Sequence, residues 1–468
     1  MFRIGWLIAA CFVGICLVPS VRADRIDNYL REEMRLRHIP GVSLAVVKNG
    51  KVVKLAGYGL ANIEDNTPAT PNSIYELGSV TKQFTAAALM LLVEEGKIRL
   101  DDRISKYFPG SAATWSGITI RHLLTHTSGV QNHVAVPGYL GRFKTDLFYV
   151  TSPSKEEAVK MFLQLPLEFS PGETWAYDNT GYYLLGIIIE KVSGKPYFEF
   201  LNDRIFRPLG MSATRSTDPQ TVVPNRVSGY DWVKDKYVNR PVLMPDIAFS
   251  AGSIISTVGD MAKWDAALYT DRILGASSRN QMWTATRGND GATLPFDYGF
   301  GWFIDNYRGH RLVQHTGGTP GFSSAFYRFI DDGLTVIILT NHSDTIIDHW
   351  AIDIAATYVP SLSRRVSRAA ADPKFSAGLR TQLIDAAKGK ANLSEFTEPM
   401  RKFLGTATGK GLFGWYLEGG EIQGFELSSI EDRPDGRMLR YRLTIGGSVS
   451  EVSFFVTRDN KTGQMLFW

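Results

Sequence analysis

A serine and a lysine one helical turn apart face the same side, so the amine can reach the hydroxyl and lower the cost of making an alkoxide. Ser79-Val80-Thr81-Lys82 has that spacing, and so does Ser152-Pro153-Ser154-Lys155. Context separates the two. Ser154 precedes Glu157 by three residues at a helix start, which a capping box explains in full. Ser79 follows Gly78, which gives the backbone room for a sharp turn, and precedes the apolar stretch Phe84 to Leu92. It would sit at the N-terminus of a buried helix, where free N–H groups and the dipole favour developing negative charge. On these residues alone Ser79 reads either as a nucleophile or as a simple N-cap.

A serine nucleophile also needs a base. Tyr177-Asp178-Asn179 lies between Pro171-Gly172 and a buried helix starting near Gly181, so packed structure would hold the phenol on a loop. A tyrosine beside ammonium groups can be driven to phenolate, because an opposite charge favours its ionised form. Tyr237-Val238-Asn239 repeats the spacing amid Lys234, Asp235, Lys236 and Arg240, with no buried helix behind it, and reads as an exposed loop or hairpin. The third element is His315-Thr316-Gly317-Gly318, ahead of an apolar strand. Glycines there let a substrate lie along the backbone, and an N–H can point at an oxyanion. Lys461-Thr462-Gly463 is a more literal lysine version near the C-terminus, but Asp459 and Asn460 make it a hairpin turn.

Taken in order, these groups resemble the serine β-lactamase and penicillin-binding protein superfamily with its S-x-x-K motif, and more closely the class C β-lactamase branch with its Tyr-x-Asn element. The flanking phrases agree: Glu76-Leu77-Gly78 before Ser79, Leu123-Leu124-Thr125-His126-Thr127-Ser128-Gly129, Ser170-Pro171-Gly172-Glu173 before Tyr177, and Ala251-Gly252-Ser253. The resemblance covers about residues 24 to 360 and favours Ser79 as the nucleophile over the cap. It implies that Ser79 forms an acyl-enzyme, that Lys82 and Tyr177 share the proton work, and that Asn179 holds the substrate amide and the Lys82 ammonium. The N–H groups of Ser79 and Gly318 would form the oxyanion hole, with His315, Thr316 and Gly317 lining the substrate. No cofactor and no metal is implied. In one place the chain departs from the pattern. β-Lactamases and carboxypeptidases of the superfamily usually have lysine at the position of His315, a permanent cation for a substrate carboxylate, whereas a histidine with a pKa near 6.5 is largely neutral at pH 7. Esterases and D-amino-acid-specific aminopeptidases of the family often have this histidine. A peptidase or esterase therefore comes first; the alternatives are a true β-lactamase and a penicillin-binding sensor or scaffold that acylates without turning over.

Other polar groups have plainer readings. His122 and His126 are four apart, but without a third ligand or an H-E-x-x-H pattern they read as packing or hydrogen-bonding residues. Asp101-Asp102 follow a helix exit and are expected to cap a next helix, Ile104 to Tyr107. Gly57-Tyr58-Gly59 falls within a strand, so it is not a nucleotide loop. The Trp and Tyr residues near the C-terminus read as sheet core.

The elements that must position these groups follow from periodicity and turn chemistry. Asp24 to His38 has helical spacing, and Val42 to Val47 and Val52 to Tyr58 flank Asn49-Gly50, a type I′ hairpin signal. Further helices are expected at Thr81 to Glu95, Ile120 to Thr125, Gly181 to Val192, Thr257 to Leu268 and Thr345 to Tyr358. Strands are expected at Tyr298 to Ile304, Gly321 to Ile330 and Leu334 to Thr340, the last two joined by Asp331-Asp332-Gly333. Strands at both ends of a helical middle describe an α+β domain, an antiparallel sheet flanked by helices, over residues 24–360. Residues 361–373 are basic and aperiodic and read as a linker. Residues 374–468 then form a small antiparallel-sheet domain: a helix from Lys374 to Ala387 and four or five strands between Phe413 and Trp468, turning at Gly419-Gly420, Pro434-Asp435-Gly436, Gly446-Gly447 and Asn460 to Gly463.

The 468 residues are 44% hydrophobic and 21% charged, too rich in apolar side chains for disorder. Residues 1–23 place Arg3 before an apolar run and end in Val21-Arg22-Ala23, the pattern of a signal peptide. Their removal takes away two arginines and no acid, lowering the formal charge from +4 to +2, and a nucleic-acid partner has no electrostatic support. Both cysteines, Cys11 and Cys16, lie in that segment, so the mature chain would have no disulfide and no thiolate metal site. The expected location is the periplasm or the exterior. Membrane contact would follow only from retention of the segment or from lipidation at the loose lipobox Ile8-Ala9-Ala10-Cys11. The expected partner is a small-molecule or peptide substrate, cell-wall fragments included.

Overall fold

The computed structural model describes residues 24–135, 144–145, 150–151, 154–242, 244–343, 347–363, 372–417, 420–433, 435–445 and 448–467. Helix α1 (Arg25–Leu36) is closed at its start by Asp24 and Asp27 in a capping box. Asn49 and Gly50 take φ of 50° and 73°, the conformation a type I′ turn demands, and join β1 (Gly41–Lys48) to β2 (Lys51–Asn62). Four more strands follow late in the chain: β3 (Phe303–Tyr307), β4 (His310–Thr319), β5 (Phe322–Phe329) and β6 (Leu334–Thr340). The sheet order is β3-β4-β5-β6-β1-β2, with the two-residue strand Thr67–Pro68 at the far edge, and neighbours are antiparallel throughout. Val42 faces Thr340 and Ala45 faces Ile337 in the central pair, so the N-terminal hairpin completes a sheet built mainly by residues from the other end.

Both faces of this sheet are covered, which is why β1 and β6 read as continuous apolar runs. On one face Val42, Leu44, Val46, Val336 and Ile338 meet α1 and a late helix, Ile347–Tyr358, through Leu30, Trp350 and Ile354. On the other face Ala45, Phe326, Ile337 and Leu339 join a larger core with Phe84 and Trp264. That core contains α2 (Thr81–Glu94), whose residues Thr81 to Leu92 are all buried, α3 (Ile120–Leu124), α4 (Asn179–Ser193) and α5 (Val258–Ala267). The α+β architecture with helices flanking an antiparallel sheet is as expected from the sequence. Of the expected helix Thr345 to Tyr358, residues 345–346 lie outside the described residues.

Three local expectations are corrected. The strand expected from Tyr298 begins only at Phe303, because Gly301 turns with φ of 80° and the Gly299 N–H closes on the Trp302 carbonyl. The segment from Phe413 is not strand: Phe413 lies in a helix, Ala407–Leu417, that follows another, Glu398–Gly405. Asp102 caps no helix; its Oδ2 accepts from the Arg99 amide, Lys106 and Tyr107 and so pins a turn.

After the helix Pro373–Ala387, four strands, Ile422–Arg433, Gly436–Ile445, Ser448–Thr457 and Thr462–Phe467, form an antiparallel meander. Of the expected linker, residues 364–371 lie outside the described residues. The core of this C-terminal part is continuous with Trp175, Ala176, Leu294, Phe296 and Tyr298. Phe403 packs 5.6 Å from the ring of Phe296, Thr408 Oγ1 donates to Glu168 over 2.9 Å, and Gln464 Nε2 donates to the Pro295 carbonyl over 2.8 Å. Among the described residues no helix is long and apolar enough to cross a membrane.

Candidate active site

Gly78 takes φ of 51° and opens the single 3-10 turn Gly78–Val80 that leads into α2. No side chain caps that turn or α2, so the Ser79 hydroxyl is not spent as an N-cap. It meets two other groups. Lys82 Nζ lies 3.1 Å from Ser79 Oγ, and the Tyr177 hydroxyl donates to the same oxygen over 2.8 Å. Lys82 is fully buried, and its other two contacts are carbonyl oxygens: Asn179 Oδ1 at 2.8 Å and the Ala251 carbonyl at 2.9 Å. Burial pushes the Lys82 pKa down to about 7, against the opposing pull of the Asp178 charge. Each carbonyl takes one N–H. A neutral amine has two, so its lone pair is left for Ser79.

Tyr177 behaves differently from the expectation of a phenolate. Burial pushes its pKa above the ordinary value, and the neighbouring Asp178 adds to the rise, so the phenol keeps its proton. Desolvation outweighs the nearby ammonium because Lys82 is itself driven toward neutrality. Asn179 is the first residue of α4, whose N-cap Asp178 accepts from the Gly181 amide. Its Oδ1 holds Lys82, while the Asn179 backbone N–H donates to Asn132 Oδ1 over 3.2 Å.

Strand β4 closes the other side. β3 pairs with β4 only as far as Gln314, so from His315 to Thr319 one edge of β4 has no strand beside it among the described residues. Gly317 faces Ser324 in the register with β5, and Ser324 Oγ donates to the Leu77 carbonyl over 2.7 Å, stitching the sheet to the Gly78–Val80 turn. The two backbones touch: a Cβ on Gly317 would fall 2.8 Å from the Ser79 nitrogen, and one on Gly78 would fall 2.8 Å from the Gly318 nitrogen. Glycine at both positions is what allows the backbones of Gly78-Ser79 and Gly317-Gly318 to approach this closely. Thr316 is half-buried and Gly318 is exposed, along the open edge.

His315 is only 2% exposed. With Nδ1 donating to the Thr316 carbonyl over 2.5 Å, Nε2 accepts from the Tyr298 hydroxyl at 3.0 Å. Burial lowers its pKa to about 3, so the ring is neutral at pH 7. Both nitrogens are committed, and the neutral ring brings no charge to this point of the edge.

The look-alike motifs are elsewhere. Ser154 and Glu157 form a capping box on the helix Lys155–Phe162, while Ser152 and Pro153 lie outside the described residues. Tyr237 is 38% exposed on the hairpin Gly229–Val233 and Lys236–Arg240. Lys461 sits at a surface turn, 3.6 Å from Asp459. His122 and His126 do not share a helix face: His122 Nδ1 accepts from the Thr119 amide, and His126 lies beyond the end of α3 with φ of 58°. Among the described residues there is no group of three His, Cys, Asp or Glu side chains placed to hold a metal. Residue-type reasoning did not single out Asn132, Tyr298 or the Ala251 carbonyl. The phrase Ala251-Gly252-Ser253 was the one signal that pointed to the last of these.

A family model described as Beta-lactamase matches residues 26–356. Penicillin-binding protein 4* of Bacillus subtilis (strain 168) is 33% identical over 346 residues, which cover 70% of this chain and 74% of that protein. Further curated relatives match over 68% of the chain and 63% of their own length, under two thirds. The solved structure of a D-amino acid amidase from Ochrobactrum anthropi SV3 superposes with a TM-score of 0.61 at 26% identity, covering 72% of this chain and 99% of that one. An octameric penicillin-binding protein homologue from Pyrococcus abyssi superposes with a TM-score of 0.64 at 24% identity over 95% of this chain and 98% of its own, a likeness of fold that takes in the C-terminal meander.

Proposed function

The chain belongs to the beta-lactamase family, and from that premise we propose that it is an exported serine hydrolase that cleaves an amide or ester bond through an acyl-enzyme on Ser79. Support comes from the convergence of a neutral-poised lysine and a protonated tyrosine on one serine oxygen, at 3.1 Å and 2.8 Å. Lys82 takes the Ser79 proton as Oγ attacks the carbonyl carbon. The developing oxyanion is received by the N–H groups of Ser79 and Gly318, donors of a kind whose loss typically costs about 3 to 4 kcal/mol. Tyr177 gives its proton to the departing amine or alcohol. That leaves a phenolate beside the Lys82 ammonium, which lies 4.8 Å over the same ring, so the new charges offset each other. Water then attacks the acyl-enzyme, the phenolate takes a proton from it, and the Lys82 ammonium returns the proton of Ser79.

The substrate follows from β4. An extended small molecule or peptide, cell-wall fragments among them, would lie along the open edge at His315 to Thr319. Neutral His315 offers no cation, which favours amides and esters without a carboxylate there over penicillins and C-terminal carboxylate peptides. We place the protein in the periplasm or outside the cell, with residues 24–360 as the hydrolase domain and 374–468 as a domain beyond it.

The purified protein should be assayed against p-nitrophenyl acetate, D- and L-alanine p-nitroanilide and a chromogenic cephalosporin, with Ser79→Ala alongside. Turnover of the ester or an anilide that vanishes in Ser79→Ala is expected. Fastest turnover of the cephalosporin would make it a β-lactamase. One stoichiometric burst with no turnover would make it a sensor.

A further inference from the structure

His126 holds the chain on both sides of Tyr177. Its carbonyl accepts from the Ala176 amide at 3.0 Å, and its ring Nδ1 accepts from the Asp178 amide at 3.2 Å. Between those two anchors the imidazole lies 4.4 Å from the Tyr177 ring, tilted by 40°. The residue is fully buried. It takes φ of 58° just past α3, in the left-handed region that costs a side-chain-bearing residue strain, so the backbone is bent to bring carbonyl and ring to the same strand of chain. The turn is held from beneath by the Thr127 amide on the His122 carbonyl and by the Gly172 amide on the Thr127 carbonyl.

A buried histidine is ordinarily a packing residue with both nitrogens satisfied. Here Nε2 has no hydrogen-bond partner among the described residues, so the ring's polar contacts are with Asp178 alone. Burial keeps the ring neutral, with its pKa well below the ordinary value, so it supplies no proton to the reaction. Neither nitrogen touches Ser79 or Lys82.

We infer that His126 is a positioning residue: a clamp that closes on the main chain either side of Tyr177 and fixes the phenol on the Ser79 oxygen. The inference rests on Ser79 being the nucleophile. It assigns to the Leu-Leu-Thr-His-Thr-Ser-Gly segment a task in the chemistry, exercised through tyrosine rather than through substrate.

Two substitutions separate the clamp from simple packing. Asparagine tolerates the left-handed conformation and can present an acceptor near the place of Nδ1, so His126→Asn keeps the hydrogen bond and loses the ring. His126→Phe keeps a ring and loses the acceptor. With a fluorophosphonate probe on the full chain, His126→Phe should label Ser79 about 10- to 100-fold more slowly, the cost of a misplaced catalytic group. His126→Asn should recover most of the rate, and KM for p-nitrophenyl acetate should stay within about twofold in both, because the substrate is not touched. In a Tyr177→Phe background, where the clamp has no phenol to hold, adding His126→Phe should slow labelling by less than about a further twofold. Amide exchange of the peptide spanning residues 170 to 181 should rise in His126→Phe and stay near wild type in His126→Asn. Losses that multiply across the double variant, equal losses in Phe and Asn, or a rise in KM at unchanged kcat would each overturn the inference. If His126→Phe does not fold, His126→Ala read in the same Tyr177→Phe background decides the matter in the same way. Wild-type protein whose Ser79 is not labelled would overturn the serine-hydrolase reading, and this inference with it. Labelled wild type with an unaffected His126→Phe would overturn the clamp alone.

Discussion

Replacing Asn179 by aspartate tests the state of Lys82 directly. Asn179 Oδ1 is 2.8 Å from Lys82 Nζ, so Asn179→Asp sets a carboxylate against the amine without changing the shape of the site. Averaged over both oxygens at about 4 Å, with an effective dielectric near 20, the attraction is about 4 kcal/mol. At about 1.4 kcal/mol per unit, this raises the lysine pKa by about three units. Lys82 would move from about 7 to the ordinary lysine range, near about 10. At pH 7 the fraction of neutral amine would fall from about one half to about one in a thousand, so kcat/KM for p-nitrophenyl acetate should fall about 500-fold. The loss should be recovered about tenfold per pH unit on the way to pH 10, while the wild type levels off above its own limb near 7. A carboxylate at the first residue of a helix is favourable, so the fold should be unharmed, which circular dichroism would check. A loss that is the same at every pH, or a wild-type profile with no limb near 7, would refute Lys82 as the base.

Three further outcomes are expected. Tyr177→Phe should lower kcat by at least about a hundredfold, the usual floor for positioned acid–base catalysis, whereas Tyr237→Phe and Lys461→Ala should leave it unchanged; equal losses at the two tyrosines would mean that the wrong one has been assigned. Asp265 and Arg328 form a fully buried pair at 2.7 Å, with Thr335 donating to the same carboxylate oxygen, so Asp265→Ala should cost about 3 to 5 kcal/mol in urea unfolding by stranding the guanidinium. His315 is neutral in the fold with a pKa of about 3, below the unfolded value near 6.5, so the unfolded chain binds the extra proton between those values. The stability involved is present above pH 6.5 and is lost as pH falls toward 3, at up to about 1.4 kcal/mol per unit. His315→Gln should flatten the pH dependence of the urea midpoint by that one-proton slope, and an unchanged slope would sink the argument.

What could be read in the chain and what could not divides along the range of the forces. Ser79 and Lys82 are three apart on a helix whose burial shows in Phe84 to Leu92, so their meeting is a local event. Asn49-Gly50 specifies its own turn for the same reason. The decoy at Ser154 was separable because Glu157 completes a box within one turn. Tyr177 was picked out by the buried helix behind it, yet its protonation could not be, since desolvation by α2, α4 and the aromatic cluster is a tertiary property. The Ala251 carbonyl acts through backbone, which leaves no side-chain signature. β4 runs through Gly317 and Gly318, residues that argue against a strand until the close approach of Leu77 and Ser79 explains them. Phe413, read as strand, lies in a helix, where it and Leu417, one turn on, pack on the C-terminal core.

The strand order of the main sheet also sets a timetable for synthesis. β1 emerges early, but its partner β6 comes about 300 residues later, and at about 5 to 20 residues per second the ribosome takes between about 15 and 60 seconds to deliver it. Ser79 and Lys82 are made within the first fifth of the chain, whereas the Ala251 carbonyl that accepts from the lysine and the Gly318 backbone that closes on the Gly78 turn arrive long afterwards. A nascent or prematurely terminated chain would therefore present a solvated serine and a charged lysine without the burial that lowers the lysine pKa. On the proposed mechanism, a reactive hydroxyl would be assembled only when the sheet closes and the last strands are in place.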